Sequence, residues 1–159
     1  TVSNERSVIF HGRDSFLSNF YYAPIVIDNQ TYSCNEQYYM HKLAENFSDD
    51  ETAAKVLREP DPARCKNMMR SIKNFTKREA DQVGKKLLQK ANEVKFSQHP
   101  DLAQLLLQTD NKEIGEASKD KQWGINLNPW DRNVLHSANW SGENWQGKIL
   151  MEIRKSLQK

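Results

Sequence analysis

At Asn35 the apolar residues of this chain change period, and that switch restricts the fold more than any other feature of the sequence. Before it, SVIF (7–10) and PIVIDNQTY (24–32) carry short apolar runs or alternation, with turn chemistry at Asp28, Asn29 and Gln30. Two or three short strands are predicted there. After it, CNEQYYMHKLAENF (34–47) sets Glu36, Met40, Leu43 and Phe47 in one narrow helical stripe, with Tyr39 at its edge. Asn35 is the expected N-cap. A second helical segment from Glu51 to Arg58 ends before Pro60, and Asp61-Pro62 starts another, since Asp caps well and Pro suits the first turn.

Farther on, TKREADQVGKKLLQKANEVK (76–95) reads as an amphipathic helix with Val83, Leu87, Ala91 and Val94 inward and its charges on a solvated face. PDLAQLLLQ (100–108) is a shorter helix, IGEAS (114–118) a short buried strand or extended segment, and 119–145 loop-like. The last helix turns Ile149, Leu150, Ile153 and Leu157 inward. The expected architecture is α+β: a compact, mostly helical single domain over residues 1–159 with a few short strands.

Composition narrows the chemistry. A net charge of +2 is too mild to argue for a nucleic-acid footprint, and the lysines of 73–95 are the only support for one. Cys34 and Cys65 fit no C-x-x-C pattern and read as reduced thiols. With no signal-like N-terminus and no span of apolar residues, the expectation is a cytoplasmic protein that does not enter membranes. His11, His41, His99 and His136 are scattered and belong to no H-E-x-x-H motif, and neither phosphate-loop nor dinucleotide glycine patterns occur. No metal and no cofactor are expected.

What remains is Glu36, a carboxylate at the head of a core-facing row. Acids are rarely buried unless paired, so it is a helix-start residue, a salt-bridge partner or part of a site. Asn19 sits between aromatics in FLSNFYYAP (16–24), and IGEASKDKQWG (114–124) adds Glu116, Asp120 and Trp123. Taken singly these are an Asx-turn residue, a surface turn acid and a core aromatic; together they suit a pocket for a planar, polar ligand. Metal-free cleavage of a C–N glycosidic bond at a ribose fits such a set. A carboxylate stabilises the oxocarbenium-like centre while an acid protonates the leaving nitrogen. A lysine rendered neutral by burial can instead attack C1′ and form a Schiff base with the opened sugar. Lys42 lies six residues after Glu36, about 9 Å along the helix axis, and its side chain leans back toward the N-terminus.

In order and spacing, FLSNFYYAPI, Y-x-x-x-EQYYMHKL, KF-x-QHPDLAQLLLQT, IGEAS-x-D-x-x-WG and W-x-G-x-N-x-x-G-x-x-LM-x-IR resemble the NADAR superfamily of YbiA-like proteins from about residue 9 to 157. The resemblance implies an N-glycosidase acting on a phosphorylated ribosyl nucleotide. That substrate is an aminopyrimidine intermediate of riboflavin biosynthesis, or an ADP-ribosylated guanine, free or carried on nucleic acid. It implies catalytic roles for Glu36, as acid and base, and Lys42, as nucleophile, assisted by Glu116 and Asp120. Asn19, Phe20, Tyr39, Lys66, Arg70, Trp123, Gly124 and Asn144 are the implied substrate contacts. In the K-x-x-G-R element of such proteins this chain has KNMMR (66–70), with Met69 in place of glycine, and Phe75 is the only aromatic near the usual tryptophan segment. The alternative is a module that binds ADP-ribose or NAD-like ligands without cleaving them.

Overall fold

The computed structural model describes residues 1–159, and the chain divides into two units, Thr1–Ser18 with His99–Lys159, and Asn19–Gln98.

In the first unit, strands β1 (Val2–Ser3), β2 (Ser7–Phe10) and β5 (Glu113–Glu116) form a sheet in the order β1-β2-β5. The first pair is antiparallel. The second is parallel, with Val8 opposite Ile114 and Phe10 opposite Glu116. All four residues of β2 are buried, consistent with a strand covered on both faces. Helix α6 (Trp145–Leu157) packs on β5, and helix α5 (Pro100–Leu107) packs on α6. As its periodicity predicts, α6 buries Ile149, Leu150 and Ile153, while Leu157 is half-buried. Beyond β5 the segment predicted as loop is irregular but has its own apolar centre, in which Ile9, Ala117, Ile125 and Val134 gather beneath Leu127, Leu135 and Trp140.

In the second unit, β3 (Ile25–Ile27) and β4 (Gln30–Tyr32) make a hairpin in which Asp28 and Asn29 both take positive φ, 52° and 66°. A two-residue turn of that hand matches strand twist, and Asn and Asp tolerate it. Helix α1 (Asn35–Asn46) is the hub, packed by α2 (Asp50–Leu57), α3 (Pro62–Asn67) and α4 (Lys77–Gln98). The expected stripe of α1 is buried through Leu43, but so are Asn35, Gln37, Tyr38 and His41, because neighbours enclose the helix on several sides. Gln37 anchors one of them: its Nε2 donates to the carbonyls of Val56 and Glu59 at 3.0 and 2.9 Å, closing the end of α2.

The structure departs from two sequence expectations. The N-cap of α1 is Cys34 rather than Asn35, which is the first helical residue with its side chain committed to buried partners. On α4 the buried face runs through Ala80, Gly84, Leu88, Ala91, Asn92, Lys95 and Phe96, about one residue round from the predicted one. Val83, Leu87 and Val94 are only half-buried. Periodicity of apolar residues could not find this face, because a glycine, an asparagine and a lysine belong to it.

Candidate functional site

Glu36 sits in the first turn of α1, where it is 7% exposed. Its backbone N–H donates to the carbonyl of Asn19 at 3.1 Å, tying the helix start to the loop that carries the S-N-F segment. Within the second unit its carboxyl takes part in no hydrogen bond and no ion pair. Burial pushes its pKa up to about 7, and the charge of Lys66 opposes part of that rise. The helix-start reading would have given Glu36 the exposed, low-pKa carboxylate that favours a helix dipole. The structure places a buried acid there that holds its proton to near neutrality.

Lys66 lies on α3 with its amine 6.0 Å from the centre of the Phe20 ring, so Phe20, Lys66 and Glu36 are brought together. Arg70, one turn on in the 3-10 segment Met68–Ser71, is exposed beside the half-buried Met69. Tyr39 is buried against α4 at Gly84, where an added Cβ would stand 3.2 Å from the phenol oxygen. Asn19 is buried, and its side-chain oxygen accepts from Asn35 at 2.9 Å and from Asn92 at 3.0 Å.

Lys42 is placed differently from Glu36. Its amine pairs with Glu45 at 3.1 Å, with the side chain 27% exposed. The burial that a neutral lysine requires belongs to Lys95, which is 1% exposed, with its amine 5.5 Å from the Tyr21 ring and 5.3 Å from that of Phe96. Burial pulls its pKa down to about 7, opposed by the nearby Cys34. The sequence reading placed Lys95 within a solvated charge run. The signal that could have separated it is its i,i+3 and i,i+4 spacing from Asn92 and Ala91.

The remaining predicted residues belong to the first unit. Glu116 ends β5 half-buried, and its N–H donates to the Asn144 side-chain oxygen at 3.3 Å. The same Asn144 side chain donates to the Ile114 carbonyl at 2.8 Å, so both ends of its amide hold β5 in place. Asp120 is exposed, and its carboxylate accepts from the N–H groups of Gln122 and Trp123 at 2.8 and 2.9 Å, the turn role that was its plainer reading. Gly124 closes that turn, because a Cβ would meet Ser118 and the Asp120 carbonyl within 3.0 Å. Trp123 stands edge-on to Trp145 at 5.1 Å.

These arrangements accompany a clear kinship. A model of the NADAR domain matches residues 9–158. Protein irg-1 of Caenorhabditis elegans is 34% identical over 130 residues, 79% of this chain and 61% of that protein, so this chain spans about three-fifths of that relative's length. N-glycosidase R617 of Acanthamoeba polyphaga mimivirus is 37% identical over 128 residues, 80% of this chain and 75% of its own length. The NMR structure of the Escherichia coli protein YbiA matches with a TM-score of 0.77 at 26% identity, covering 99% of this chain and 88% of that one. The mostly helical α+β fold expected from the sequence is the fold of that structure. On the length and order of these matches, the chain belongs to the NADAR family.

Proposed function

We propose that this chain is an N-glycosidase that hydrolyses the C1′–N bond of a phosphorylated ribosyl nucleotide, with Glu36 as its general acid. The observation that carries the reading is the Glu36 carboxyl, buried and held to a pKa of about 7. A general acid works best when its pKa lies near the working pH, since it is then protonated in a useful fraction and still able to give the proton up. In the proposed step the C1′–N bond breaks as Glu36 protonates the departing nitrogen. Water adds to C1′ and returns a proton to the carboxylate, yielding free base and ribose phosphate or ADP-ribose. The name of N-glycosidase R617 supports the bond type. Lys66, with its amine over the Phe20 ring, and the exposed Arg70 four positions on supply the charge and stacking surface that a phosphorylated, planar ligand requires.

The family resemblance implies Lys42 for the covalent route. Burial favours Lys95 for the same part, because an amine with a pKa near 7 is substantially neutral at physiological pH, whereas Lys42 is paired with Glu45. Borohydride reduction during turnover, followed by peptide mapping, tests both. A sugar adduct on either lysine identifies the nucleophile, and turnover with no adduct leaves a carboxylate mechanism. The substrate is tested by incubating the protein with aminopyrimidine ribosyl phosphates and with ADP-ribosylated guanosine, scoring released base by mass spectrometry. Base release from one set identifies the substrate. A thermal shift with no release from either would favour the binding-module reading.

A further inference from the structure

Around the first turn of α1 lie three asparagines from three separate segments. The Nδ2 group of Asn35 spends both hydrogens, donating to Asn19 Oδ1 at 2.9 Å and to Asn92 Oδ1 at 3.0 Å. Asn92 Nδ2 donates to Asn19 Oδ1 at 3.0 Å and to the Leu88 carbonyl of its own helix at 2.7 Å. All three residues are buried, at 8%, 1% and 0% exposure for Asn19, Asn35 and Asn92. The orientation of the Asn35 amide follows from its surroundings. Turned over, its oxygen would face two other oxygens, so it keeps its nitrogen toward them and leaves its own Oδ1 buried without a partner. A buried acceptor with no donor forfeits its hydration without replacement, so this arrangement persists against its own local preference.

Asn19 connects this network to the acid. Its side chain joins the triad while its backbone carbonyl accepts from the Glu36 N–H, and Asn35 is the residue preceding Glu36. Glu36 is therefore fixed from the backbone side, by neighbours that carry no charge. A cationic clamp would orient a carboxylate as firmly, but it would also stabilise the anion and strip the group of the proton a general acid must donate.

Resting on the glycosidase reading above, we propose that Asn19, Asn35 and Asn92 form a neutral positioning triad that aims Glu36 at the leaving nitrogen without drawing off its proton. Asn92 belongs to the triad although nothing in its helix's apolar pattern marks it. It acts through Asn35 and Asn19 rather than on substrate.

Asn92→Asp and Asn92→Leu test the triad, with Asn35→Asp as a second site should either fail to fold. Two readouts are taken: steady-state kinetics across pH, and NMR titration of the Glu36 side-chain carboxyl in the free protein. The triad predicts kcat reduced at least tenfold with KM within twofold in each variant. It also predicts an upward move of the Glu36 titration, and of the kcat limb that follows it, in the Asp variants, where a new carboxylate replaces a neutral donor. Folded variants with wild-type kcat and an unmoved Glu36 titration would overturn the triad, as would a loss confined to KM. If the wild-type protein releases no base from any ribosyl substrate, the glycosidase reading fails instead, and the titration alone decides the triad.

Discussion

Burying the Glu36 carboxyl carries a cost in stability. The folded protein holds the Glu36 proton up to about pH 7, whereas an unfolded chain releases it near 4.5, so between those values the unfolded state binds fewer protons. Stability therefore falls as pH rises through that window, by a total on the order of 3 kcal/mol. Glu36→Gln removes the penalty. Chemical denaturation should find the variant more stable than wild type at pH 8 and nearly equal to it below pH 4.5, while its turnover drops at least a hundredfold. Equal stability at both pH values would mean that the carboxyl is solvated. The anomaly of a carboxylate in an apolar stripe was legible in the sequence. The three amides that hold it were not, because Asn35 and Asn92 look like a cap and a helix surface residue until the segments are brought together.

Among the elements, the contact of α6 with β5 is the most sensitive to substitution. A Cβ at Gly147 would stand 2.0 Å from the Ile114 carbonyl and within 2.6 Å of the Asn144 amide atoms, so glycine is required for the helix to lie against the strand. Gly147→Ala should destabilise the protein by about 3 kcal/mol or more, seen as a fall of roughly 10 °C in Tm. Asn144 adopts a left-handed conformation, φ 55°, and gives both ends of its amide to β5. Asn144→Ala should cost about 2 kcal/mol through the two lost hydrogen bonds. An effect on kcat without a stability change would instead support the substrate contact implied by the family resemblance. At α2 the capping acid Asp49 accepts from the N–H groups of Thr52 and Lys73, and these bonds pull its pKa down to about 2. Its contribution is therefore present above the ordinary carboxylate pKa near 3.8 and lost as pH falls through about 2. Asp49→Asn should lower Tm at pH 7, with the difference from wild type closing near pH 2. Caps and breakers of this kind were readable: Asp61 and Pro62 start α3 as predicted, and Asp61 accepts from the Arg64 N–H at 2.9 Å. The inward face of α4 was misjudged because burial there is shared among Gly84, Asn92 and Lys95, residues that hydropathy assigns to the surface.

Over the whole molecule, the helices from α1 to α6 were legible because each carries its own period, caps or stops. The parallel pairing of β2 with β5 was not, since it joins segments as distant as His11 and Ala117, 106 positions apart, whose ring nitrogen and carbonyl meet at 3.1 Å. No local pattern encodes such a pairing, and the first unit is assembled from both ends of the chain. The five separated motifs, spread over both units, carried the family resemblance that the match to residues 9–158 establishes. The proposed function turns on Glu36 supplying the proton for C1′–N cleavage. It is tested most directly by measuring base release from phosphorylated ribosyl nucleotides by mass spectrometry, with wild type and Glu36→Gln compared at pH 6 to 8. Wild type is expected to release base, with kcat falling above a pH of about 7, and the variant to lose at least a hundredfold. Release by Glu36→Gln at the wild-type rate would contradict it.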